Sequence, residues 1–243
     1  MTRPTDTPTS THTIMTTTEA ALYRLMTWLS PAYPVGGFSY SHGLEYAVEE
    51  TLVHDRETLV QWLTTAIEVG AGRIGGALVA EAWRAATQQD ADRLEDIAEL
   101  AAAWRSTGET ALESEAQGAA FLSVTRTAWP HPLLDNLVPE WRGGPITLSV
   151  AVGATCGCHG IALLPTLVAY LHSFASNLVS ASVRLIPLGQ SDGQLAMAAL
   201  EPIISRSAGV FADISLDEVG SAAPMLDWCS MRHELQYTRL FRS

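Results

Sequence analysis

Between Gly143 and Val183 the chain carries no Asp, Glu, Lys or Arg. A charge-free stretch of that length has to be hidden, either in lipid or inside protein. Its first half, "ITLSVAVGATCGCHG", is built of small residues and is interrupted by His159, and its second half contains Pro165, His172 and Asn177. Lipid would penalise those polar groups. On a helical projection Leu164, Leu167, Val168, Leu171, Phe174 and Leu178 form one apolar stripe, with Tyr170, Ser173, Asn177, Ser180 and Arg184 opposite. This is the pattern of a helix in a soluble bundle, its polar face turned to another helix or subunit. No membrane association is expected.

The remaining periodicity is also helical. Leu22, Leu25, Met26 and Leu29 recur at spacings of three and four before Pro31. A second helix is expected from Ser39 or Ser41 to about Thr51, and a third capped by Asp55 with Leu59, Trp62, Leu63, Ala66 and Ile67 on one face. After the glycine-rich "GAGRIGG" (70–76), helical patterns cover 77–88, 91–106 and 109–127, and a proline- and glycine-rich loop spans 130–145. Pro187 and Gly189 break the chain again, with Ser191 or Asp192 capping a helix to about Ser207. Period-two alternation is absent, so the expectation is an all-α, single-domain bundle of about 8–10 helices. It is expected to span 19–228, between a disordered threonine-rich tail (1–18) and a C-terminal docking tail (229–243).

The chain is 47% hydrophobic and 16% charged, with a formal net charge of -12. Nucleic acid and anionic membranes need cationic patches, which this balance disfavours. All 14 basic residues are arginine. Lysine-dependent chemistry, from phosphate loops to Schiff bases, is therefore excluded, while bidentate pairing with carboxylates at a protein interface is favoured. Three cysteines, Cys156, Cys158 and Cys229, are too few for a disulfide framework and fit a reducing cytoplasm.

Two clusters invite a metal reading. His42, Glu45 and Glu49 share a face if they lie on one helix, which would suit a metal-dependent hydrolase; an exposed polar face is the plainer alternative. In "CGCH" (156–159), Cys156 and His159 share a helical face while Cys158 points elsewhere. Small apolar fillers of a tight helix contact are the plainer reading there. No serine elbow or phosphate loop is found.

Four segments, "LSPAYPVGGFSYSHGLEYAVE", "RSTGET", "NLVSASVRLIPLGQSDGQ" and the closing "RLFRS", resemble in order the UreF family of urease accessory proteins. The resemblance covers about residues 22–243. It implies an all-helical protein without catalytic activity of its own. Such a protein forms a homodimer that binds UreD (also called UreH) and the GTPase UreG and helps deliver nickel to the urease apoprotein. Nickel is then handled by the complex, with no cofactor held stably by this chain. By the same resemblance Tyr40, His42 and Glu45 contribute to a UreG-facing surface. Tyr170, Asn177 and Arg184 lie near the dimer contact, and Arg239, Leu240, Phe241 and Arg242 form a tail that becomes ordered on UreD. Relatives often carry glutamine where this chain has His42, and small residues where it has Cys156, Cys158 and His159. A metal role at those positions is therefore not implied by the family.

Overall fold

The computed structural model describes residues 17–138 and 146–243. Residues 1–16 of the expected tail and 139–145 of the expected loop lie outside the described residues. The described residues form eleven α-helices and no strand, the all-α class expected. In chain order these are α1 (Thr17–Trp28), α2 (Leu44–Glu49), α3 (Arg56–Glu68), α4 (Ala71–Gln88), α5 (Ala91–Ala103) and α6 (Gly108–Ala128). They continue as α7 (Pro132–Leu137), α8 (Leu148–Cys158), α9 (Leu163–Leu185), α10 (Gln190–Asp213) and α11 (Pro224–His233).

Helix α4 is the hub, touching α3, α5, α8, α9 and α10. The "GAGRIGG" segment, expected to precede this helix, lies mostly within its first turns. Glycine costs a helix about 1 kcal/mol relative to alanine, and packing explains its use here. A Cβ on Gly75 would stand 2.4 Å from the Tyr170 hydroxyl, and one on Gly76 would stand 2.4 Å from the Phe211 ring. The far end of α4 meets α8 in the same way. A Cβ on Gly153 would lie 2.4 Å from the Val79 carbonyl oxygen, and one on Gly157 would lie 2.7 Å from that of Trp83. The charge-free stretch is thus hidden by protein, and every residue of α8 from Ser149 to Cys158 is buried. Cys156 and Cys158 are buried free thiols, and burial pushes both up to about 12.

Two apolar clusters result. Trp28, Leu94, Phe121 and Val150 belong to the first; Leu44, Leu59, Leu171 and Phe211 belong to the second. Ile74 and Tyr170 pack against both. The loop from Pro31 to Gly43 crosses from one to the other, since Tyr33 sits in the first and Leu44 in the second.

Several boundaries differ from expectation. Asp55 caps α3 as expected, accepting from the Thr58 amide at 2.8 Å. The second helix, however, begins at Leu44, because His42 (φ 54°) and Gly43 (φ 74°) are left-handed and cannot continue a helix. Inside the expected 130–145 loop, Pro132 opens the short α7. Asp192 holds the start of α10 by accepting from the Gly189 amide at 3.1 Å, and the helix runs past Ser207 to Asp213. The expected tail boundary at 229 falls inside α11, so the irregular tail starts at Glu234.

Candidate docking site

The loop "SPAYPVGGFSYSHGLEY" is shaped by its own residues before anything else touches it. Ser30 accepts from the Ala32 amide at 3.1 Å, and the Tyr33 hydroxyl reaches Thr125 at 2.7 Å. Gly36 takes φ 73°, a left-handed conformation that glycine adopts without the steric cost of a Cβ. Gly43 is required twice over: its φ is positive, and a Cβ there would stand 2.5 Å from the Ser230 amide nitrogen on α11. That close approach aims the first turn of α2, with Glu45, at the end of the chain.

The Glu45 carboxylate accepts from the Leu240 amide at 2.6 Å and from the Phe241 amide at 2.9 Å. His233 lies 3.2 Å from it through Nε2, and the same ring meets Glu109 through Nδ1 at 2.7 Å. Each ring nitrogen thus faces a carboxylate oxygen. Arg239 closes the circuit on the other Glu109 oxygen. Glu45 is only 8% exposed and His233 is fully buried, so their contact is shielded from water, whereas Arg239 lies at the exposed rim.

Further along, the tail and the loop pair through backbone. The Arg242 amide donates to Ser39 O at 2.8 Å, and the Ser41 amide donates to Ser243 O at 2.7 Å. The Ser243 hydroxyl donates to Glu113 at 2.7 Å, while His42 Nε2 lies 3.0 Å from the other Glu113 oxygen. Gln117 donates to that same oxygen at 2.8 Å. Above them Arg184 joins both segments. Its guanidinium stands 4.4 Å over the Phe241 ring and donates to the Phe38 carbonyl at 2.9 Å.

Loop and tail residues of the expected site are therefore brought together, with Arg184, Arg239, Leu240 and Arg242 exposed and the rest wholly or partly buried. Tyr40, Glu45 and Phe241 are buried, and Asn177 donates to the Tyr40 carbonyl at 3.5 Å. Tyr170, expected on a polar face turned to another helix or subunit, packs against Gly75 of α4 between the two cores. What remains on the surface is Phe38 on the loop with Leu235, Tyr237 and Leu240 on the tail. The shared helical face of His42, Glu45 and Glu49 does not form. His42 lies off the helix and turns to Glu113, Glu45 holds the tail, and Glu49 accepts from Gln236. Nor does "CGCH" converge. His159 Nδ1 accepts from Arg24 at 3.1 Å and its ring stands edge-on to Trp28, while both thiols are enclosed. Among the described residues, no three His, Cys, Asp or Glu side chains are placed to hold a metal ion.

Sequence reasoning missed Glu109, Glu113 and His233. Glu109 sits in "RSTGET", a segment singled out, and His233 in the expected tail (229–243), but nothing local says that an acid and a histidine so far apart share one carboxylate network.

Comparison with known proteins places the sequence in a family. The sequence profile of UreF matches residues 53–201. A urease accessory protein UreF from Granulibacter bethesdensis is 52% identical over 227 residues, covering 93% of this chain and 96% of that protein. Proteins of the same name from Rhodopseudomonas palustris strain BisB5 and Bradyrhizobium sp. strain BTAi1 are each 49% identical, covering 92% of both chains. With the profile match and relatives aligned along nearly their whole length, the chain belongs to the UreF family of urease accessory proteins.

Proposed function

We propose that this chain matures urease as a non-catalytic scaffold. As a homodimer it binds UreD and the GTPase UreG, and the assembly delivers nickel to the urease apoprotein. The observation that carries this reading is the interlock of loop and tail. The two segments that resemble the family's partner-facing pieces are the two that Glu45, Glu113 and Arg184 tie together. Neither can move without disturbing the other. In this reading Tyr40, His42 and Glu45 shape the UreG-facing surface from beneath, and Phe38 meets the partner. Leu240, 62% exposed between two anchored neighbours, is the contact point for UreD. Asn177 and Arg184 support the dimer contact by holding the loop against α9, and Tyr170 does so by seating α9 on α4. Nickel is handled by the assembly and is not stored here. A reducing, cytoplasmic setting is supported by three buried free thiols.

The test is co-expression of the chain with UreD and UreG homologues, together with urease assays in a strain deleted for it and grown at limiting nickel. A ternary complex and loss of urease activity are expected. Normal urease activity in the deletion strain, or a chain that purifies alone, would contradict the proposal.

A further inference from the structure

A cleft of about 250 Å³ opens between the Pro31–Gly43 loop, the linker joining α5 to α6, and the polar stripe of α9. Among its lining residues are Arg105, Ser106, Glu113, Tyr170 and Ser173. Arg105 Nε and Nη2 are sealed from solvent and have no hydrogen-bond partner; the same two atoms of Arg126 are also unbonded, but Arg126 Nε has Asp135 at 3.6 Å, whereas Arg105 makes no ion pair among the described residues. Burial lowers its pKa from the ordinary arginine value, and Tyr170, Glu113 and Glu115 act in the opposite direction.

The nearby acid does not satisfy those donors. Both Glu113 oxygens are engaged, one by His42 and Gln117 and the other by Ser243. A guanidinium that keeps its charge at every physiological pH is thus held with its donors unmet, a costly arrangement unless something completes it. Nε and Nη2 together form the side-on fork of arginine, two parallel N–H groups whose spacing matches the two oxygens of a carboxylate. The Tyr170 hydroxyl, on the adjoining wall, makes no hydrogen bond among the described residues and adds a third donor.

We propose that this cleft binds a small monocarboxylate, gripped side-on by Arg105 Nε and Nη2 and by the Tyr170 hydroxyl. Because the fork is sealed from solvent, binding includes a rotation of the Arg105 side chain toward the cleft. A dianionic phosphate is the poorer fit, since Glu113 and Asp227 also line the cleft and a single arginine opposes them. This inference is independent of the urease role proposed above.

The experiment follows the Arg105 Nε–H resonance in the full chain labelled with 15N-arginine. Sodium acetate is titrated at constant ionic strength against chloride, with inorganic phosphate as a parallel titration. Arg105→Lys assigns the signal. A saturable shift with acetate is expected, weakened several-fold in Tyr170→Phe and at least several-fold smaller with phosphate. A resonance that acetate leaves unmoved, a phosphate response equal to that of acetate, or a saturable shift confined to other arginines overturns the proposal. If Arg105→Lys fails to fold, Tyr170→Phe supplies the decision: an acetate response of undiminished affinity in that variant overturns the proposed grip.

Discussion

Glu45 shows how much one residue can decide and how little of that a sequence displays. The motif around it was legible, and so was its importance; its direction was not, because the helix expected from Ser39 starts only after the left-handed His42 and Gly43. The outcome is a carboxylate that accepts two tail amides and faces a buried histidine. Glu45→Gln keeps the shape, removes the charge and places an amide NH2 where only acceptors fit. A loss of about 1–3 kcal/mol is expected. Hydrogen exchange should show it first at the Leu240 and Phe241 amides, with Ser41 and Arg242 following. His159 offers a second check at this scale. Burial, then Arg24, then His131 depress its pKa from 6.5 to about 4. The unfolded chain therefore binds a proton that the folded chain refuses, and this residue's contribution makes stability fall as pH drops from 6.5 to about 4. In His159→Gln the acid limb of a denaturation-midpoint profile should be shallower across that window; an unchanged slope would refute the assignment.

At the scale of elements, helix type was readable because the apolar spacing of three and four runs through most of the chain, while the expected 8–10 helices fell short of the eleven described. The ends were harder. "GAGRIGG" reads locally as a break, and only the closeness of Phe211 and Tyr170, residues remote in sequence, explains why glycines are used inside α4. The same logic separates two substitutions of identical chemistry. Gly153→Ala drives a methyl against the backbone of α4 and should cost about 1–3 kcal/mol, read as a lowered urea midpoint. Gly209→Ala on α10 meets nothing within 4 Å and should stabilise by about 0.5–1 kcal/mol through helix propensity. Equal effects of the two would mean that the α4–α8 contact is looser than described. The charge-free stretch was legible as buried, and its small residues already pointed to a close helix contact. Which helix it packs on was not, since α4 and α8 are far apart in sequence. One described helix, α10, has the length and hydropathy to cross a membrane, and it packs on α3 and α9.

For the whole molecule, the tail is part of the fold. Phe241 is 4% exposed, and the Ser243 hydroxyl completes the Glu113 cluster. Removing Arg239–Ser243 would leave Glu45 and Glu113 short of donors, so a truncated chain should lose stability as well as a contact, contrary to the simpler picture of a detachable peptide. Two widely separated segments thereby become one surface, with Phe38, Tyr237 and Leu240 outward and the carboxylates beneath. The most direct measurement is retention of UreD and UreG homologues by tagged wild-type and Glu45→Ala chains, compared after both pass the same helicity and melting checks. The account predicts that folded Glu45→Ala loses both partners together; full retention of either partner by that variant would contradict the claim that loop and tail dock as one unit.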